Sequence, residues 1–159
     1  MIAARALVLL PLVLTACGRT PAPTDRAMTD TFHARHATFE TIRKYFCDLH
    51  HDQTVTLNWS QPQLPAAEEQ RIQGWLKDVG ARDVKYMPDC QLWLRTWTSG
   101  VGRNAAFKKY RYGPPRYGII EVKEPPAKDL NDYLDKRVAI ASFEKNLEGD
   151  WWIELDHWQ

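Results

Sequence analysis

Residues 31–59 read TFHARHATFETIRKYFCDLHHDQTVTLNW, and the spacing of the apolar residues changes inside this stretch. Apolar and aromatic side chains first recur at steps of three and four residues, which predicts an amphipathic helix from Thr31 to about His50. From Val55 to Trp59 apolar residues alternate with threonine and asparagine, which is typical of a half-buried strand. A helix followed directly by an alternating strand favours a domain in which helices pack on a sheet.

The chain beyond this stretch continues in the same manner. A second apolar stripe at 72–79 is followed by Gly80, where a helix is expected to stop. Short alternating runs then predict strands at 83–87, 91–98, 105–112, 117–123, 138–143 and 151–158, with a short helix at 130–134. The sequence therefore predicts an α+β domain in which two N-terminal helices pack on a largely antiparallel sheet of about five to six strands.

The N-terminus has a composition unlike the rest of the chain. Residues 1–16 carry one charge, Arg5, followed by an apolar run from Ala6 to Leu14. This run is shorter than the roughly 20 residues that span a bilayer, and it is typical of a secretory signal peptide. The run ends in Leu14-Thr15-Ala16-Cys17, which resembles the lipobox of bacterial lipoprotein precursors.

The lipobox resemblance implies a location. It implies cleavage before Cys17, a diacylglycerol on the cysteine sulfur, and an acyl chain such as palmitate on the new amino group; two or more chains anchor a protein stably. Gly18, in place of an aspartate, implies passage to the outer membrane, facing the periplasm. The predicted organisation is a signal peptide at 1–16, a lipidated cysteine and flexible tether at 17–30, and one periplasmic domain at 31–159. The alternative is an ordinary secreted protein in which Cys17 is incidental.

Charge and cysteine content narrow the functional classes. The chain has 21 basic and 20 acidic residues, and because Arg5 belongs to the signal peptide, the mature chain is formally neutral. No net field attracts it to nucleic acid, which is not an expected partner.

Cys47 and Cys90 predict one disulfide in an oxidising compartment. The alternative is a Cys47 nucleophile activated by His50 or His51.

A basic and aromatic stretch is the first candidate binding site. No acid occurs between Asp89 and Glu121, while cations alternate with aromatic residues there. The predicted patch contains Arg103, Lys108, Lys109, Tyr110, Arg111 and Arg116, a combination suited to phosphate or carboxylate groups. The alternative is a solvated sheet face on which these cations pair across strands with Glu144, Glu148, Asp150, Glu154 and Asp156.

Tryptophans supply the second candidate site. In strand 151–158, alternation places Trp152 and Trp158 on the face opposite Ile153, and Trp93 and Trp97 likewise lie opposite their leucine neighbours. These four residues form a predicted aromatic surface for a protein or a sugar. The alternative is that helices cover one face of the sheet and other chain segments cover the second.

Binding is favoured over catalysis. His33 and His36 lie near Glu40 but lack the HExxH arrangement, so neither a metal nor another cofactor is expected. No catalytic motif is found, and the chain is not expected to be an enzyme. The prediction is a membrane-anchored periplasmic binding module, of the inhibitor or immunity type, for an envelope or cell-wall-targeting protein. The alternatives are a module that binds peptidoglycan or lipid, and a cell-wall hydrolase.

Overall fold

The computed structural model of the protein describes residues 20–49, 51–100, 105–116, 119–121, 129–134 and 140–158. Within these ranges the chain forms three α-helices, one 3₁₀ turn and eight β-strands, so the predicted α+β class is confirmed. The helices are α1 at Asp25–Ala34, α2 at His36–Cys47 and α3 at Ala66–Asp78, and the 3₁₀ turn is at Leu130–Tyr133. Among the described residues no helix has the length and apolar character needed to cross a membrane.

The strands form one sheet. They are β1 Gln53–Thr56, β2 Ser60–Gln61, β3 Asp83–Met87, β4 Gln91–Ser99, β5 Ala106–Tyr112, β6 Ile120–Glu121, β7 Ile140–Glu148 and β8 Trp151–Trp158. Their order is β2-β1-β3-β4-β5-β8-β7-β6, and each described pairing is antiparallel except β6 with β7. Six strands have four or more residues, which agrees with the predicted number of about five to six. The two-residue strands β2 and β6 lie at the two ends of the strand order.

The first predicted helix is two helices in the structure. Arg35 separates α1 from α2 with non-helical backbone angles, φ −118° and ψ 20°. Apolar spacing does not reveal this break because Phe32 before it and Phe39 after it reach the same core, with their ring centroids 5.0 Å apart.

Helix α1 also begins earlier than predicted. The Thr24 side chain accepts a hydrogen bond from the backbone N–H of Ala27 and caps the helix, so residues 25–30 are helical and do not belong to a tether. The prolines at 21 and 23 suggested a flexible linker. In the structure, residues 20–24, here called the N-terminal strap, are instead hydrogen-bonded to the domain.

The core lies between the helices and one face of the sheet. Phe39 of α2 packs edge-on against Tyr110 and Trp151, at centroid distances of 4.7 and 5.3 Å. Buried aliphatic residues fill the remainder, including Ile42, Ile72, Leu76, Val84, Leu92, Leu94, Ile153 and Leu155. Removing such side chains from water is the main favourable term in folding.

The predicted disulfide is present. Cys47, the last residue of α2, is bonded to Cys90 in the turn between β3 and β4, with a Cα–Cα distance of 4.7 Å. The bond therefore connects the helical layer to the sheet. Because Cys47 is in a disulfide, it has no thiolate, and the alternative of a Cys47 nucleophile is not supported.

Candidate functional site

The two faces of the sheet differ in chemistry. On β4, Leu92 and Leu94 face the helices and are fully buried, while Trp93 and Arg95 point to the opposite side, here called the outer face. On β5, Tyr110 faces the helices and its hydroxyl donates to the Met28 carbonyl at 2.9 Å. The charged residues of the sheet are concentrated on the outer face.

Strand register aligns these charges in one row. Cross-strand pairing places Asp83 opposite Arg95, Arg95 opposite Lys109, and Lys109 opposite Glu154. Glu144 of β7 completes the row opposite Glu154. Opposite charges on neighbouring strands attract each other, so the Asp83–Arg95 and Lys109–Glu154 pairs stabilise the register, whereas the like-charge neighbours in the row oppose it.

The half of the outer face formed by β5, β8 and β7 is buried. Arg111 lies 2.7 Å from Glu144 and 3.0 Å from Glu154, and the side chains of all three are at most 2% exposed. The backbone after β5 covers them, since Arg111 also donates to the Gly113 and Pro114 carbonyls. The alternative of cross-strand pairing is therefore observed, but the pairs are buried rather than solvated.

The structure buries four of the six residues of the predicted basic patch, Lys108, Lys109, Tyr110 and Arg111. Lys109 and Arg111 both pair with Glu154, and Tyr110 belongs to the core. Arg116 is partly exposed and its guanidinium lies 2.9 Å from Glu154. Arg103 lies outside the described residues, as does Cys17.

Lys108 faces the opposite side from Lys109 and is completely buried. Its ammonium lies 2.7 Å from an Asp25 oxygen and 3.3 Å from an Asp129 oxygen. It also donates to Asn131 at 2.8 Å and to the Pro23 carbonyl of the N-terminal strap at 2.7 Å. Lys108 is thus a structural cation that binds the strap to the sheet, and it is not available to a ligand.

The two carboxylates at Lys108 have opposite pKa shifts. Burial raises the pKa of Asp25, although Lys108 opposes the increase. Burial also acts to raise the pKa of Asp129, but backbone hydrogen bonds from Asn131 and Asp25 outweigh it, with help from Lys108, so this pKa is lowered.

The half of the outer face formed by β2, β1, β3 and β4 is here called the open half. A cavity of about 320 Å³ next to Trp93, the Trp93 groove, lies where the open half meets β5, β7 and β8. The lining includes Thr54, Lys85, Trp93, Arg95, Phe107 and Arg116. This volume is near the lower end of the range for ligand-binding pockets.

Three cations surround the half-buried Trp93 ring. The Lys109 ammonium is 4.3 Å from the ring centroid, the Arg116 guanidinium 5.3 Å and the Lys85 ammonium 5.6 Å. Each lies within the range of an attractive cation–π contact. Two acids offset their mutual repulsion. Glu154 pairs with both Lys109 and Arg116, and Asp156 pairs with Lys109.

Acids at the groove have shifted pKa values. Burial raises the pKa of Asp83, although Arg95 pairs with it through Nε at 2.8 Å. Burial acts on Asp156 in the same direction, but the charge of Lys109 and hydrogen bonds from Lys109 and Ser142 outweigh it and lower its pKa. Asp156 is therefore a weak proton acceptor. The Ser142–Asp156 hydrogen bond favours a positioning role over nucleophile activation.

Two tryptophans of the predicted aromatic surface, Trp97 and Trp152, are buried in the structure. Trp97 is 6% exposed and its indole donates to the Thr20 carbonyl at 2.7 Å. Trp152 is also 6% exposed and donates to the Gly113 carbonyl at 3.1 Å. Trp93 is half-buried at the groove, and the side chain of Trp158 lies outside the described part of the structure.

Trp59 is an exposed aromatic residue that the sequence placed inside a strand. Strand β1 ends at Thr56, and Trp59 lies at the following turn with 48% of its surface exposed. The Thr56 backbone N–H donates to the Trp59 carbonyl at 2.8 Å, and the Thr56 hydroxyl accepts from the Trp59 N–H at 3.0 Å. Trp59 therefore lies in the connection between β1 and β2, at the edge of the sheet where the open half ends.

The histidines do not form a metal site with other residues that the structure describes. His33 and His36 contact the Phe32 ring at centroid distances of 5.6 and 5.3 Å. Nowhere in the described ranges are three or more His, Cys, Asp or Glu side chains arranged to hold a metal.

No model of a known protein family matches the chain, and neither a curated protein nor a solved structure matches it. Function is therefore inferred from the geometry of the outer face. The open half combines exposed and half-buried tryptophans with arginine, two residue types that are enriched in protein interfaces.

Proposed function

We propose that the protein is a lipid-anchored binding module that faces the periplasm from the outer membrane and docks a protein partner on its open half. The observation that carries the docking proposal is the Trp93 groove, a cavity lined by aromatic and charged side chains at the border of the open half. The anchor is supported by the resemblance of Leu14-Thr15-Ala16-Cys17 to a lipobox.

The open half has features of a protein interface. Trp59 is exposed at its edge, and the Trp93 groove lies further in. Tryptophan and arginine dominate the residues whose truncation weakens protein complexes most. Arg95 presents a partly exposed guanidinium that Asp83 already holds in position, so little side-chain entropy is lost when a partner binds.

Within this class we favour an inhibitor or immunity-type protein for an envelope or cell-wall-targeting protein. Such a protein requires a compact domain that remains folded outside the cytoplasm, and the Cys47–Cys90 disulfide supplies a covalent link between its layers. The exposed cations Lys85 and Arg116 would give electrostatic complementarity for a partner's acidic group and increase the association rate.

The test is capture of partners from envelope extract with the full chain, purified in detergent and immobilised. We expect one protein to be captured in stoichiometric amount, and we expect Trp59→Ala to reduce its capture. Lys44→Ala, a change on the exposed side of α2, is the matched control and should leave capture unchanged. Failure to capture a protein, or equal loss with both variants, contradicts the docking proposal.

The anchor is tested separately by metabolic labelling with a palmitate analogue. We expect the wild-type chain to incorporate label and to fractionate with the outer membrane. Cys17→Ser should abolish both properties, because a serine at the cleavage point offers no sulfur for diacylglycerol. Label that persists in the Cys17→Ser variant contradicts lipidation at this residue.

Peptidoglycan or lipid is the second candidate ligand, favoured by the cations that surround an aromatic ring at the groove. This alternative predicts sedimentation of the domain with purified sacculi or with anionic vesicles. Added salt should weaken the binding, because surface charges are screened.

A further inference from the structure

We infer that the Trp93 groove accepts one carboxylate from an acidic side chain of the partner, with Lys85 as its counter-charge. This inference rests on the proposed docking function and specifies the chemistry of its central contact. It is carried by the charge balance of the groove, the position of Lys85 and the apolar walls around it.

The described groups in and under the groove do not balance in charge. Five cations are present, namely Lys85, Arg95, Lys109, Arg111 and Arg116, against the four acids Asp83, Glu144, Glu154 and Asp156. Protonation of any acid would increase the positive excess. The groove therefore has room for at least one negative charge.

The excess charge is located at Lys85. Arg95, Lys109, Arg111 and Arg116 each contact a described carboxylate. Lys85 is exposed, lies over the Trp93 ring and has no described carboxylate within ion-pair distance. A carboxylate that enters beside Lys85 would form the missing pair and relieve the repulsion among the cations around Trp93.

The remaining surface of the groove favours a carboxylate whose neighbouring groups are apolar. Trp93 and Phe107 provide ring surface, and Thr54 lies at the β1 side. The Trp93 indole nitrogen is buried and has no acceptor among the described residues. A ligand oxygen would accept a hydrogen bond from this indole N–H once the Lys85 and Arg116 side chains over the ring move aside.

A carboxylate fits better than a phosphate. Asp83 and Asp156 also line the groove and would repel a second negative charge. One uncompensated lysine matches a group with a single negative charge. A phosphate group carries close to two negative charges and would leave the site with excess negative charge.

The test uses capped tripeptides with one central residue between two phenylalanines. The central residue is glutamate, glutamine or phosphoserine, and binding to the full chain is followed by NMR through the Trp93 indole N–H, assigned with Trp93→Phe. We expect the glutamate peptide to bind about tenfold more tightly than the glutamine peptide, equivalent to one modest ion pair at a partly buried site. Salt should reduce the difference.

Lys85→Gln should remove the preference for glutamate, and Lys44→Gln should retain it. Both lysines are exposed, so both variants should fold. Equal binding of the glutamate and glutamine peptides, tighter binding of the phosphoserine peptide, no binding at millimolar concentration, or an unchanged preference in Lys85→Gln would each overturn the inference.

Partner capture separates this inference from the proposed function. If envelope extract yields a partner that Lys85→Gln captures as well as the wild type, docking is supported and the carboxylate contact is overturned. If the peptides discriminate as expected but the full chain captures no protein, the carboxylate site is supported and the docking function is overturned.

Discussion

Lys108 is a fully buried cation on the side of the sheet that faces α1. It lies next to Lys109 in a run of cations, yet the strand alternation sends the two ammonium groups to opposite faces. Lys109 pairs with Glu154 and Asp156 on the outer face, while Lys108 contacts Asp25 and Asp129 beneath the N-terminal strap. Charge composition alone does not separate these two roles.

Lys108→Met should destabilise the protein strongly. The substitution leaves Asp25, which is almost fully buried, without its cation, and breaking a buried pair in this way costs about 3–5 kcal/mol. The free energy of unfolding in urea measures the effect. Lys44→Met, at an exposed position, should change stability by no more than about 0.5 kcal/mol. A loss below about 1 kcal/mol in Lys108→Met would show that the buried pair contributes little.

The carboxylates at Lys108 should titrate in a definite order. The ordinary pKa of an aspartate is 3.8, and we expect Asp129 to titrate below it and Asp25 above it. The contribution of Asp129 to stability is present above 3.8 and is lost as pH falls through its lower folded-state pKa. The contribution of Asp25 has the opposite sign: it is present below 3.8 and is lost as pH rises through its raised pKa.

Carboxyl NMR titration, assigned with Asp25→Asn and Asp129→Asn, measures both values directly. If Asp25 titrates before Asp129 as the protein is acidified from neutral pH, the expected order is confirmed. The reverse order would mean that Lys108 outweighs burial at Asp25.

At the level of secondary-structure elements, the N-terminal strap behaves as part of the domain. The Trp97 indole donates to the Thr20 carbonyl, and the Asn131 side chain donates to the Ala22 and Pro23 carbonyls at 3.3 and 3.1 Å. The backbone N–H of Asp25 donates to Asp129 at 2.7 Å. These contacts connect the strap and α1 to β4 and to the 3₁₀ turn, which are distant in sequence.

Trp97→Phe should loosen the strap without unfolding the domain. The change keeps a ring but removes the donor to Thr20, a loss of about 1–2 kcal/mol. Hydrogen exchange measured by mass spectrometry should therefore accelerate in residues 20–25. Trp75→Phe makes the same replacement in α3, away from the strap, and should not alter hydrogen exchange in the strap. Unchanged exchange in Trp97→Phe would show that other contacts hold the strap.

Periodicity predicted most elements because their apolar residues face one core. Strand β3 has the predicted bounds, and β4, β5 and β8 differ from prediction by at most one residue. The Arg35 break and strand β2 were missed, since neither changes the spacing of apolar residues. The buried charges were also missed, because the segment at Gly113 and Pro114 covers Arg111 through contacts that are not encoded in the pattern of β5 itself.

The candidate site was predicted only in part for the same reason. Sequence singled out Trp93 and Arg116, which the structure brings together at the groove. It did not select Lys85, because the importance of this residue depends on which strands are neighbours. Trp59 was assigned to a strand since its spacing from Val55 matched the alternation.

At the level of the whole molecule, the disulfide is the one covalent connection between layers in the described structure. It joins α2 to the β3–β4 turn across a sequence separation of 43 residues. Loop-closure entropy assigns such a link an idealised stabilisation of about 4 kcal/mol, and measured values are typically about 2–4 kcal/mol.

Replacing both Cys47 and Cys90 with alanine should lower the free energy of unfolding by about 2–4 kcal/mol. Urea denaturation of the variant measures this loss. Reduction of the wild type with dithiothreitol is the matched control and should give a similar loss, since both treatments remove the same link. A variant as stable as the oxidised wild type would show that noncovalent packing alone holds α2 on the sheet.

The two-residue strand β2 at one edge of the sheet limits how the folded protein can self-associate through that edge. An unpaired strand edge is a template for another chain, and long flat edges promote amyloid-like stacking. Strand β2 offers a template of two residues, too short to nucleate a stable intermolecular ladder. The open half, which ends at β2, can therefore present tryptophans while that edge resists fibril growth.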